Sequence, residues 1–398
     1  MLLLENQIQP YAWGSTDGIA SIVGTAPSGG PEAELWIGTH PAAPSRVVGD
    51  PEGRTLAEVI ASDPPRWLGP ELAEQGFTAL PFLLKVLAIG CPLSLQAHPS
   101  VDQARAGYAR EDAAGIALDA PDRNYRDDGA KPEALVALQT TWAMCGFRSP
   151  VEAANLLAGL GVAELDPLVE ALASEGADGV RTVLAWLLRL EGSARRAVAD
   201  AVAASVSRFR SDDRTDPRWW VQRLVAAFPG DPTAVAPLLL NVVALDPGDA
   251  VHLPAGNLHA YLDGAGIEIM AASDNVLRGG LTPKHIDVDE LLSVLRFDAG
   301  VPDAPVVAGV GDRLRTYDAG EDAFALAVVE PGDAPVSLDP AGPSLLLATG
   351  GAVTIEGPQG RETVDHGGAA FLAPGSGPWS VRGPGRLWWA TTGDGLPR

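Results

Sequence analysis

Cysteine is scarce in this 398-residue chain, and the two that occur, Cys91 and Cys145, sit in no C-x-x-C pair. That excludes a disulfide framework and a cysteine-rich structural metal site, and it predicts free, buried thiols in a reducing compartment. No run of about 20 apolar residues exists, so no membrane span is expected. The opening Met1-Leu2-Leu3-Leu4-Glu5-Asn6 has no basic stretch, which predicts no signal peptide and a cytoplasmic protein. Basic residues are also few: 28 Lys and Arg against 51 Asp and Glu leave a net charge of −23. Such a surface repels nucleic acid and anionic membranes, so neither is expected as a partner. A phosphorylated ligand would need a local basic pocket. What is present is a globular balance of 46% hydrophobic and 20% charged residues, enough to exclude wholesale disorder. The length asks for two or three structural units.

Punctuation divides the chain. Residues 1–148 carry short apolar runs between Gly and Pro, such as Glu34-Leu35-Trp36-Ile37-Gly38 and Phe82-Leu83-Leu84-Lys85-Val86-Leu87, which read as strands. Residues 101–119 look helical. At Ser149-Pro150-Val151-Glu152 a capping box opens a helical region. Val180, Val183, Leu184, Leu187 and Leu188 there recur at helical spacing, and Ser193 is positioned as the N-cap of a helix running to Phe209. This helical insertion spans 149–236. Strand character resumes in 237–300, first at Leu238–Val243, with turns at Asp246-Pro247-Gly248-Asp249 and Pro254-Ala255-Gly256-Asn257. Short strands such as 344–348 and 387–390 fill 301–398. The expected class is mainly β with an α insertion: one β unit interrupted by helices, then a second β unit.

Six histidines are spread along the chain. In Gln96-Ala97-His98, residues two apart point to one face of a strand, with Ser94 on the same side. Polar side chains on an inward face need a partner, and a metal ion would supply it. The segment from Gly248 to His259 follows G, five residues, P-x-G, two residues, H. It resembles the second sequence motif of cupins, with Asp263 where an Asn is usual. Pro132 favours an extended path at Lys131, so Lys131 and Glu133 share a face. Two imidazoles, a carboxylate and an amide oxygen suit a divalent first-row metal, zinc first, with a position left open.

Longer blocks carry a fuller resemblance. They are Gln9-Pro10-Tyr11-Ala12-Trp13-Gly14-Ser15, Glu34-Leu35-Trp36-Ile37-Gly38-Thr39-His40-Pro41, Leu95-Gln96-Ala97-His98-Pro99, Lys131-Pro132-Glu133, His259-Ala260-Tyr261 and Ser273-Asp274-Asn275-Val276-Leu277-Arg278-Gly279-Gly280. Together they make the chain similar to the class I mannose-6-phosphate isomerases. The resemblance implies a cupin-type jelly-roll catalytic domain made of 1–148 and 237–300, a helical domain, and a second C-terminal jelly roll without a metal site. It implies one zinc per chain on Gln96, His98, Glu133 and His259, with Arg278 catalytic. Ser94, Lys85, Tyr261 and Trp13 would contact the substrate. Ala130 stands where relatives often have His, and His252 where an apolar residue is usual; His252 is read as a packed ring.

The implied reaction interconverts mannose 6-phosphate and fructose 6-phosphate through an enediol. It needs a base, stabilised oxygens and a phosphate anchor. Lys131 and Glu268 are the candidate acid–base pair, and a lysine beside a dication would have a lowered pKa. Lys85, in an apolar strand, cannot be buried unpaired, so the phosphate of the substrate is its expected partner. A cupin-type oxygenase would use two neighbouring histidines with a nearby Glu, and a non-catalytic sugar-phosphate sensor would lack the acid–base residues. The expected assembly is a monomer that binds a small sugar phosphate.

Overall fold

The computed structural model describes residues 1–311, 313–358 and 360–396. Its first β unit is built around one long strand, His259–Ala271. The N-terminal half of that strand pairs with Thr141–Phe147 and with Gln96. Its C-terminal half is flanked by Phe82–Ile89 on one side and Glu133–Ala137 on the other. The change of partners falls at Gly264, whose φ is +120°. A Cβ there would lie 2.6 Å from the Thr141 backbone, so only glycine lets the strand bend from one sheet into the next. Inside this barrel, Leu87, Leu135, Ala143, Leu245, Val251 and Leu253 form an apolar floor.

Five longer helices between Pro150 and Ala227 form the insertion. Ser149 caps the first through Glu152 N–H, but Glu152 turns its carboxylate to Arg148, so only half of the capping box forms. Ser193 is not a cap; that helix starts at Gly192 after Glu191 and ends at Val206. Leu238 and Leu239 close a short helix, and the strand begins at Leu240. The predicted helix after Ser100 runs Val101–Ala113. Val180, Val183, Leu184, Leu187 and Leu188 are all buried, each such side chain contributing roughly 1.5–3 kcal/mol by leaving water. The unusual Asp263 gains a reason here. It pairs with Arg214 of the insertion, whose guanidinium lies 4.8–5.1 Å from the rings of Trp142, Trp219 and Trp220.

The second β unit is an eight-stranded sheet facing a four-stranded one. Its larger sheet also takes in Leu2–Glu5, which pairs with Ala369–Leu372, so the first strand of the chain crosses into the last unit. Cys145 is buried as predicted, but Cys91 is exposed, because it sits on a bend after the Phe82–Ile89 strand has ended. His252 is bonded at 2.9 Å to Glu321 of the last unit. It pairs with Ala134 in the ladder and so points away from the face of its neighbour Glu133.

Candidate metal centre and active site

The long central strand does most of the gathering. His259 opens it, Tyr261 follows two residues on, and Glu268 lies on its far half. Across the ladder His259 faces Gln96, and Gln96 faces Arg278 on the two-residue strand Leu277–Arg278. Residues directly opposite in antiparallel strands share a face. Arg278, Gln96 and His259 therefore stand in one row. Glu133 enters from the first position of Glu133–Ala137, and His98 follows Gln96 by two. Ser94 is half-buried between Leu93, whose N–H binds Tyr261 O, and Leu95, whose N–H binds Gly280 O.

His98, Glu133 and His259 are buried and offer ligand atoms that all lie within 4.8 Å of one another. His98 Nδ1 donates to the Asn275 carbonyl at 2.8 Å, and His259 Nδ1 to the Asn257 carbonyl at 3.1 Å. In a neutral ring each Nε2 then carries a bare lone pair. Both point at Glu133, 3.4 Å and 3.3 Å from its two oxygens, and neither finds a hydrogen-bond donor. Lone pairs facing carboxylate oxygens in a dry site are untenable unless a cation lies between them. The donor set thus fits a divalent ion such as zinc, with Gln96 adjoining it in the ladder. Burial, with the Lys131 charge, pushes the His98 imidazolium down to about 4, so the ring is a neutral ligand at pH 7. Burial by itself would raise Glu133, but the Lys131 charge holds its carboxyl well below the usual range. Lys131 bonds directly to Glu133.

Next to this cluster lies a second buried one. Lys85 Nζ sits 3.2 Å from Glu34 and 3.3 Å from Glu268, with the Trp36 ring 5.2 Å away. Burial pushes Glu268 up to about 7 against the pull of Lys85, and Glu133 adds to the rise. The Tyr261 hydroxyl is buried without a hydrogen-bond partner and its pKa is raised well above 10 by burial and by Glu268. Trp13 packs against the apolar floor and stacks on Tyr11 at 6.2 Å.

Arg278 is half-buried and its pKa is lowered by burial and by the charge of Arg126. Lys284 is lowered by burial, then by Arg278 and Arg126. The charges of Arg126, Arg278 and Lys284 thus bear on one another. The turn after Arg278 is held from the insertion: Leu281 N–H binds Asp231 and Thr233, and Leu281 adopts φ +55°. Such a conformation costs of order 1–3 kcal/mol in a branched residue.

Of the four ligands expected from sequence, His98, Glu133 and His259 come together, and Gln96 adjoins them through the ladder; Lys85, Lys131 and Glu268 lie close by. The sequence reading missed Glu34, Arg126, Lys284 and Asn275. Glu34 had a signal, since it shares the period-two face of Trp36 in an apolar strand. Asn275 stands in a block that carries the family resemblance, but local spacing marks no role for it or for the cations, because those roles come from loops meeting in space.

Residues 1–150 match the model of the phosphomannose isomerase type I catalytic domain. A mannose-6-phosphate isomerase of Escherichia coli (strain K12) is 36% identical over 393 residues, covering 97% of this chain and 98% of its own. The chain belongs to the type I phosphomannose isomerase family. Among solved structures, a zinc-bound mannose 6-phosphate isomerase superposes at a TM-score of 0.90 with 33% identity, covering 98% of this chain and 99% of its own. The Salmonella typhimurium mannose 6-phosphate isomerase bound to substrate (f6p) and zinc superposes at 0.89, with the same identity and coverage. The cupin-type fold of this family, mainly β with a helical insertion, is the fold observed here.

Proposed function

We propose that the chain is a zinc-dependent mannose-6-phosphate isomerase with His98, Glu133, His259 and Gln96 as ligands. One observation carries the reading: two buried imidazole nitrogens with bare lone pairs converge on one carboxylate. Bound zinc supplies Lewis-acid polarisation of a substrate oxygen. The protein does the rest. Glu268, with a pKa of about 7, takes the proton from one carbon of the sugar and returns it to the next. Lys131 is held by Glu133 where it can donate to a sugar oxygen. Arg278, permanently charged, faces the enediolate, while Arg126 and Lys284 beside it anchor the phosphate. Lys85 spreads its charge between Glu34 and Glu268 and keeps the latter in place. Trp13, Ser94 and Tyr261 line the sugar.

Family membership and the full acid–base set favour this over an oxygenase or a sugar-phosphate sensor. Among the described residues no helix is long and apolar enough to cross a membrane. The strong negative charge and the unpaired cysteines support a cytoplasmic monomer. A coupled assay on mannose 6-phosphate tests the reading. Activity should vanish on chelation and return with zinc, and Arg278→Ala should lose about 100- to 1,000-fold in kcat. Full activity in either case overturns it.

A further inference from the structure

We propose that Asn275 is a positioning residue that makes zinc retention depend on the loop running from Arg126 to Lys131. Asn275 is fully buried. Its Oδ1 accepts from Arg126 N–H at 2.7 Å and Asp127 N–H at 3.3 Å. Its Nδ2 donates to the carbonyls of Asp127 and Gly129, each at 2.8 Å, and to the Asp127 carboxylate at 3.2 Å. One amide thus satisfies itself entirely on one loop. Its own carbonyl meanwhile accepts the Nδ1–H of His98 at 2.8 Å. Ser273 braces the arrangement, its Oγ accepting from Asn275 N–H and donating to Gly129 O.

The consequence is mechanical. The loop ends at Lys131 and Glu133, the second on the metal cluster and the first bonded to it. The carbonyl that fixes the His98 tautomer is held in place by the side chain on the same residue. If that side chain is lost, the carbonyl and the loop are freed together. A ligand whose outer partner is loosened holds its metal about 10- to 100-fold less tightly. Asparagine suits the position because it both accepts from two N–H groups and donates to two carbonyls. Aspartate would set a second oxygen against those carbonyls.

The inference rests on the zinc reading, and one experiment separates the two. Metal-free protein is titrated with zinc against a chromophoric chelator. Wild type should bind one zinc, and Asn275→Ala should bind about 10- to 100-fold more weakly, with Asn275→Asp at least as weak. Hydrogen exchange at the amides of Arg126 and Asp127 should speed up in the same variant. Ser344→Ala, which unpairs the Trp389 indole in the last β unit, should lower the melting temperature and leave zinc affinity unchanged. Wild type taking up no zinc would overturn the metal reading and this inference with it. Wild-type uptake with unchanged affinity in Asn275→Ala would overturn only the inference. If Asn275→Ala fails to fold, Ser273→Ala serves, with a loss of about 2- to 10-fold expected and no loss again decisive.

Discussion

The two β units bury their polar groups in opposite ways. The first hides Glu34, Lys85, His98, Lys131, Glu133, His259 and Glu268. The last hides tryptophans whose N–H groups meet hydroxyls: Trp388 on Thr349 at 3.1 Å and Trp389 on Ser344 at 2.9 Å. A buried charge is expensive unless paired, and removing one partner is worse than never having the pair. A neutral indole–hydroxyl bond carries no such penalty and adds a large apolar body to the core. The difference teaches which unit was shaped for chemistry and which for packing.

The comparison breaks most readily at the metal. Glu133→Ala should abolish zinc uptake, measured by metal analysis, and reduce turnover by at least about 1,000-fold, since two imidazoles and an amide oxygen without the carboxylate charge make a poor site. Next in size is the packing side. Trp389→Ala should cost about 3–5 kcal/mol by denaturant unfolding, yet the folded fraction should keep wild-type kcat. Equal loss of kcat in that fraction would show that the last unit also serves the site.

Titration sharpens the contrast. The folded pKa of Glu268 lies near 7, above its unfolded value near 4.5. A carboxyl raised in this way favours the native state below its unfolded value, and that contribution is lost as pH rises through 7. Turnover runs the opposite way, because the base must be ionised. The kcat/KM profile should climb as pH passes through about 7, and Glu268→Gln should remove that limb. The smallest effect concerns the phosphate. Arg126→Ala should raise KM for the sugar phosphate about 10-fold with kcat nearly unchanged, in line with a lost charge-assisted contact of about 1.4 kcal/mol.

Particular residues show how far the sequence reaches. The strands Glu34–Ile37 and Phe82–Ile89 are legible because apolar β-formers end at Gly and Pro. The start of the helix at Pro150 is legible because Ser149 and Pro150 are local signals. Ser193 misled, since a serine that favours capping is not needed where Glu191 already adopts the extended backbone. Leu238-Leu239 misled because a short apolar run fits a buried helix as well as a strand.

By its own pattern, then, the chain determined its β–α–β order, its lack of disulfides and the residue types able to hold a metal, because these depend on composition and near neighbours. Only the tertiary structure decided that Asn275 and His98 would meet across 177 positions, that Glu34 and Glu268 would share Lys85, and that Arg126 and Lys284 would bring their charges to bear on Arg278. Those contacts are set by which strands pair and how loops close over them, and local spacing carries no record of that.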